Sequence, residues 1–170
     1  SITAVLSVAL AQSQLQADPT FQDFDGSGTP YTATQHNTAP GPAVVGGGPS
    51  GNFMRIANDG VANQQGTVAF DATQTSPFNT TRFGFDFRLG GAGDTADGLG
   101  FALLNTANFG VTGNPGFFSE QANLTNSLGI GIDVHDNGGG DVSQDSISLH
   151  YNNVELSQVD LTGVLDLENN

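Results

Sequence analysis

The sequence predicts an all-β fold, an antiparallel sandwich, and three observations carry that expectation. Charged residues make up 12% of the 170 residues, about half the usual share of roughly 25%. In their place stand 24 glycines and many Asn, Thr and Ser, the residues of turns and short strands. Apolar residues recur with a period of two in short runs bounded by turn formers, and no stretch holds a 3.6-residue apolar stripe long enough for an amphipathic helix. The length suits one domain with a sizeable core.

In chain order, Ile2 to Leu10 (ITAVLSVAL) is the most apolar run, and the polar AQSQLQA after it leads to Asp18-Pro19. It is too short to cross a bilayer as a helix. Residues 1–17 therefore read as an apolar N-terminal strand or the remnant of a secretion signal, ahead of a domain over 18–170. Phe21 to Phe24 reads as a strand entering the turn Asp25-Gly26-Ser27-Gly28, and Ala39 to Gly51 as a Pro/Gly loop. Phe53 to Ile56 and Thr67 to Phe70 read as strands. Thr81 to Leu89 alternates cleanly, with Phe83, Phe85, Phe87 and Leu89 against Arg82, Asp86 and Arg88. Leu99 to Leu104 is more continuously apolar. Leu128, Ile130, Ile132 and Val134 alternate with Gly129, Gly131 and Asp133, and Ile147, Leu149 and Tyr151 alternate with Ser146, Ser148 and His150. Val154 to Leu161 closes the series.

Charge excludes several functions. Seventeen acids face three bases, all Arg, for a formal net charge of -14. Such a chain has no basic footprint for nucleic acid or an anionic membrane, and neither partner is expected. Without Lys there is no Walker-type phosphate loop and no Schiff base. Without Cys there is no disulfide, thiolate catalysis or Cys-bound zinc. The histidines His36, His135 and His150 show no triad or zinc spacing. DFDGSG at 23–28 lacks the closing Glu of a calcium loop, with Thr34 in its place, and reads as a turn. Asn79-Thr80-Thr81 and Asn123-Leu124-Thr125 are glycosylation sequons, relevant only on an export pathway.

Two motifs carry chemistry. In IGIDVHDNGGGD, Asp133 ends a strand, and Asn137 and Asp141 follow in a Gly-rich loop. Calcium takes six to eight oxygens; Asp133 and Asp141 offer carboxylates, Asn137 an amide oxygen and His135 a backbone carbonyl. The bland alternative is a solvated turn around Asp136-Asn137-Gly138. In ADGLGF, Asp97-Gly98 puts a carboxylate at the mouth of an apolar strand, where an ordinary Asp-Gly turn is the competing reading.

Taken together, Ala96-Asp97-Gly98 and the Asp133, His135, Asn137, Asp141 series resemble the L-type (legume-lectin-like) lectin family over roughly residues 21–153. The resemblance implies a concanavalin-like jelly-roll sandwich, with Asp97 and Gly98 at a sugar site shared by Asn137 and His135. It implies calcium held by Asp133, His135, Asn137 and Asp141. Gly131 stands where that family carries the Glu of a transition-metal site, which argues against manganese, and His135 replaces an aromatic sugar platform. The chain also stops before the family's last strands, so some C-terminal strands are expected to be missing. Laminarinase-like glycosidases share the sandwich but need paired carboxylates, and no Glu lies near Gly131-Ile132-Asp133.

The expectation is thus a secreted, microbial-surface, calcium-dependent carbohydrate-binding domain without catalysis. Its partner would be a glycan or polysaccharide. The alternative is a structural subunit of an extracellular filament or surface layer, assembled by strand exchange through residues 1–10.

Overall fold

A computed structural model of the chain describes residues 21–72, 81–90, 97–113, 116, 119–138 and 144–167. The N-terminal segment and Asp141 lie outside the described residues. The architecture is all-β: β1 (Tyr31–Gln35), β2 (Ala43–Gly48), β3 (Gly51–Arg55), β4 (Gly66–Phe70), β5 (Gly98–Leu104), β6 (Ser127–Asp133), β7 (Ser146–Tyr151) and β8 (Val154–Asp160). Among the described residues a four-residue helix, α1 (Thr106–Phe109), follows β5, started by the Asn105 side chain, which accepts the Ala107 N–H at 2.9 Å.

The strands form three antiparallel sheets: β1 with β4, β2 with β3, and β5-β6-β7-β8 in that order. Tyr31 and Phe70 face each other across β1 and β4, with rings 6.1 Å apart. The β2–β3 hairpin turns at Pro49-Ser50, between the paired Gly48 and Gly51. Thus part of the segment read as a loop is strand. Its glycines supply the irregular register between Val45 and Gly48, where Gly47 takes φ 94°. The 23–28 turn closes on this hairpin: Asp25 Oδ1 accepts the Asn52 N–H at 2.9 Å, and Asn52 Nδ2 donates to the Phe24 carbonyl at 3.3 Å. Phe21 to Phe24 contributes a single bridge, Gln22 to Gly28, rather than a strand.

Thr81 to Leu89 is the other departure. It forms no ladder with any described strand. Its alternation serves ring packing instead, because Phe83 and Phe85 both stack on Phe101 of β5, at 4.5 and 5.3 Å between centroids.

The four-stranded sheet has two unlike faces. In register across β5, β6 and β7, one face carries Ala102, Gly129 and His150, then Gly100, Gly131 and Ser148, then Gly98, Asp133 and Ser146. The other carries Phe101, Ile130 and Leu149, then Leu99, Ile132 and Ile147. Alternation ordinarily turns the apolar row inward. Here Ser146, Ser148 and His150 are buried while Ile147, Leu149 and Tyr151 are exposed. The glycines are the cause. They leave a flat strip of backbone on which residues 119–122 lie directly, and a Cβ at Gly129 would overlap the Ala122 carbonyl. Ala122 and Val134 are completely buried and Ile132, on the apolar face, is 4% exposed, so the small-residue face is packed under residues 119–122 while the apolar face is buried at β6 and exposed along β7.

Candidate functional site

The site begins with the β5–β6 ladder. Gly98, the first residue of β5, pairs with Asp133, the last of β6. A side chain at 98 would run into the Ile132 carbonyl, so Gly follows Asp97 because the neighbouring backbone passes too close for anything else. The ladder extends one bond further, with the Asp97 carbonyl accepting the Val134 N–H at 3.0 Å. Two motifs 35 positions apart in the chain therefore meet at one end of the sheet.

Beyond β6 the chain turns through short-range side-chain bonds. Asp133, only 2% exposed, accepts the His135 N–H on Oδ1 at 3.0 Å. Asp136 Oδ1 accepts the Gly138 N–H at 2.7 Å, and Asn137 Nδ2 lies 3.4 Å from the His135 carbonyl. Short Asx side chains bonding two residues ahead are what bend the backbone here. Gly138 follows with φ 71°. His135 is half-buried, while Asp97, Gly98 and Asn137 are exposed.

Of the residues singled out from the sequence, Asp97 and Gly98 thus stand against Asp133 and Val134, with His135 and Asn137 in the adjoining turn. Among the described residues, no three His, Cys, Asp or Glu side chains gather into a metal cluster. The oxygens that suit a hard cation are those of Asp133, the His135 carbonyl and Asn137, all drawn around one backbone turn. No family model, curated protein or solved structure matches the chain. No helix among the described residues is long and apolar enough to cross a membrane.

A second polar group lies on the inward face of β7, next to the glycines that residues 119–122 cover. His150 is 1% exposed; its Nε2 lies 2.7 Å from Ser148 Oγ, and its Nδ1 is buried with no hydrogen-bond partner. Burial pushes the imidazole below its ordinary pKa of 6.5, partly opposed by Glu155, its cross-strand partner on β8. Beside it on the same face, Ser146 Oγ accepts from Gln158 Nε2 at 2.9 Å. The signal was present in the strict Ser/Ser/His alternation of β7. Its meaning was hidden because alternation does not say which row faces inward.

Two further concavities lie away from this site. One, of about 430 Å³, is bounded by Asp145, Gly163 to Asp166 and Gln144. The other, of about 380 Å³, lies beside the 23–28 turn and Tyr31. Both are open and shallow.

Proposed function

We propose that the chain is an extracellular carbohydrate-binding domain that uses calcium and performs no catalysis, built as a jelly-roll sandwich of the L-type lectin kind. The observation that carries this reading is the pairing of Gly98 with Asp133, extended by the bond from Val134 to Asp97. It brings an exposed carboxylate to the side of an oxygen-rich turn, the arrangement a sugar site of this kind requires.

In this reading Asp133, the His135 carbonyl, Asn137 and Asp141 would hold the calcium, which would neutralise the carboxylates and stiffen the turn. Asp97 accepts hydrogen bonds from sugar hydroxyls, Asn137 adds a polar contact, and the half-buried His135 ring gives the sugar a flank. Gly98 keeps the backbone low beside them. The test is a glycan-array screen of the chain with calcium and with excess chelator, alongside the Asp97→Ala variant. Calcium-dependent binding that Asp97→Ala abolishes, with the melting temperature unchanged, is the expected result. Binding insensitive to both chelator and Asp97→Ala would remove the assignment.

A second reading is supported by one feature. β8 is an edge strand of seven residues, almost wholly exposed, with neither Pro nor Lys to blunt it. Such an edge suits a strand donated by residues 1–10 of a neighbouring copy, in a filament or surface layer. Electron microscopy separates the two, since fibres favour the structural subunit and dispersed particles the soluble lectin.

A further inference from the structure

We infer that the outward apolar face of the four-stranded sheet is a contact surface for a second copy of this chain, packed face to face about a two-fold axis. The inference does not depend on the calcium or sugar reading. It starts from the inverted burial of β7, where the row Ile147, Leu149 and Tyr151 points to solvent with Val154 and Val159 beside it on β8, next to the buried Ile132 of β6. The register places Ile130 and Phe101 in line with Leu149, and the Phe83 and Phe85 rings extend the surface over Phe101.

Two arguments name the occupant. The first is charge. A chain of net charge -14 repels its own copies over most of its surface. On this sheet the acids Asp133, Glu155 and Asp160 belong to the opposite, inward row, in register with Ser146 and His150. The outward row has Val159, Ser157 and Val154 at the corresponding β8 positions and carries no charge on any of its four strands. Like-charged copies therefore approach most easily here.

The second argument is area. Eight large apolar side chains of this surface, Phe87 included, are 38% to 58% exposed. At the size of such side chains they present on the order of 800 Å² together. That is about what one partner contributes to a standard interface. Because the patch is apolar and uncharged on both sides, it complements itself, as an isologous contact requires. Two such sheets would stack about 10 Å apart, the spacing of a sandwich.

Sedimentation equilibrium of the full chain in excess chelator tests this. The expected species has twice the 17.4 kDa chain mass. Leu149→Glu and Val159→Glu each set like charges against one another across the two-fold, and at least a roughly hundredfold weaker association is expected. Tyr151→Glu, at the more exposed end of the row, gives the same result if Leu149→Glu fails to fold by circular dichroism. Val164→Glu, exposed but outside the sheet, stays dimeric. Leu6→Glu and Val8→Glu also stay dimeric. A monomeric parent chain at every concentration, or folded face variants that remain dimeric, would overturn the inference. Loss of the dimer in the Leu6 and Val8 variants would seat residues 2–10 on the face instead, and would overturn it equally.

Discussion

The two faces of the β5–β8 sheet are built from the same strands yet obey opposite rules. The inward face is made of Gly, Ser, Asp and His, and it is held by close backbone approach and by named hydrogen bonds such as His150 to Ser148 and Gln158 to Ser146. The outward face is made of Ile, Leu, Phe, Tyr and Val and is half exposed along β7 and β8, with Ile132 of β6 buried. Apolar transfer alone would bury the second and expose the first. The difference teaches that the covering segment decides the matter here. Residues 119–122 need a surface without side chains, and only the glycine rows of β5 and β6 provide one.

The comparison breaks most visibly if the glycine strip is filled. Gly129→Val places side-chain atoms where the Ala122 carbonyl stands, so residues 119–122 must lift from the sheet. Overpacking of this kind costs about 1–3 kcal/mol, and the lost seat of fully buried Ala122 adds to it, so a loss of about 3 kcal/mol in denaturant unfolding is expected. Leu149→Thr, one strand away on the other face, should change the stability of the monomer by less than about 1 kcal/mol. Equal losses at the two sites would mean that the faces do not differ as described.

The next effect is smaller and depends on pH. His150 is held neutral by burial, so its folded pKa lies below the ordinary value of 6.5. As pH falls through about 6.5, the unfolded chain takes up a proton that the folded chain refuses. The stabilisation is therefore fully present above about pH 6.5. It is lost toward the depressed folded pKa, with a slope of at most about 1.4 kcal/mol per pH unit. His150→Gln should abolish this slope. Glu155→Gln should deepen the loss by removing a charge that favours the imidazolium. Both are read from melting curves between pH 7.5 and pH 5 (on the order of one imidazole titration). A parent curve flat over that range would show that the His150 site is wet.

How much of this the sequence disclosed depends on the kind of information involved. Short apolar runs, alternating in β6 and β7 and continuous in β5, located β3 to β8 apart from small shifts at their ends, because spacing of apolar residues is local. Alternation overstated Thr81 to Leu89, whose Phe residues pack by ring stacking on Phe101 without a ladder. It missed β1, and it missed β2, whose Val44-Val45 is short and embedded in glycines. At the site, Asp97-Gly98 and Asp133 could be named individually, but their meeting follows from the β5–β6 register, which no single segment encodes. The burial of Ser146, Ser148 and His150 was illegible for the same reason. It is fixed by residues 119–122, which have no periodicity of their own.

The register of β7 against β8 determines which side chains share a row, and a slip of one residue would bring Glu155 or Asp160 onto the apolar face. That register is pinned at the hairpin turn by Asn152 and Asn153, both in the left-handed region with φ 50° and 65°. Consecutive left-handed residues define the turn whose twist matches a two-residue hairpin, and Asn and Gly are the residues that tolerate it. The turn is also tied back to the residues leading into β6, since the Asn152 Oδ1 accepts the Asn126 N–H at 2.9 Å and the Asn153 N–H donates to the Leu124 carbonyl at 3.1 Å. Replacing Asn153 by Gly keeps the conformation accessible and should alter stability by no more than about 0.5 kcal/mol. Asn153→Val, stiff at χ1 and disfavoured at positive φ, should cost about 1–2 kcal/mol. Amide exchange of β8 in the two variants distinguishes local strain from slippage. Faster exchange with the same cross-strand contacts would be strain alone, whereas new contacts between Tyr151 and Glu155 would mean that the turn, as well as the covering segment, keeps the two faces apart.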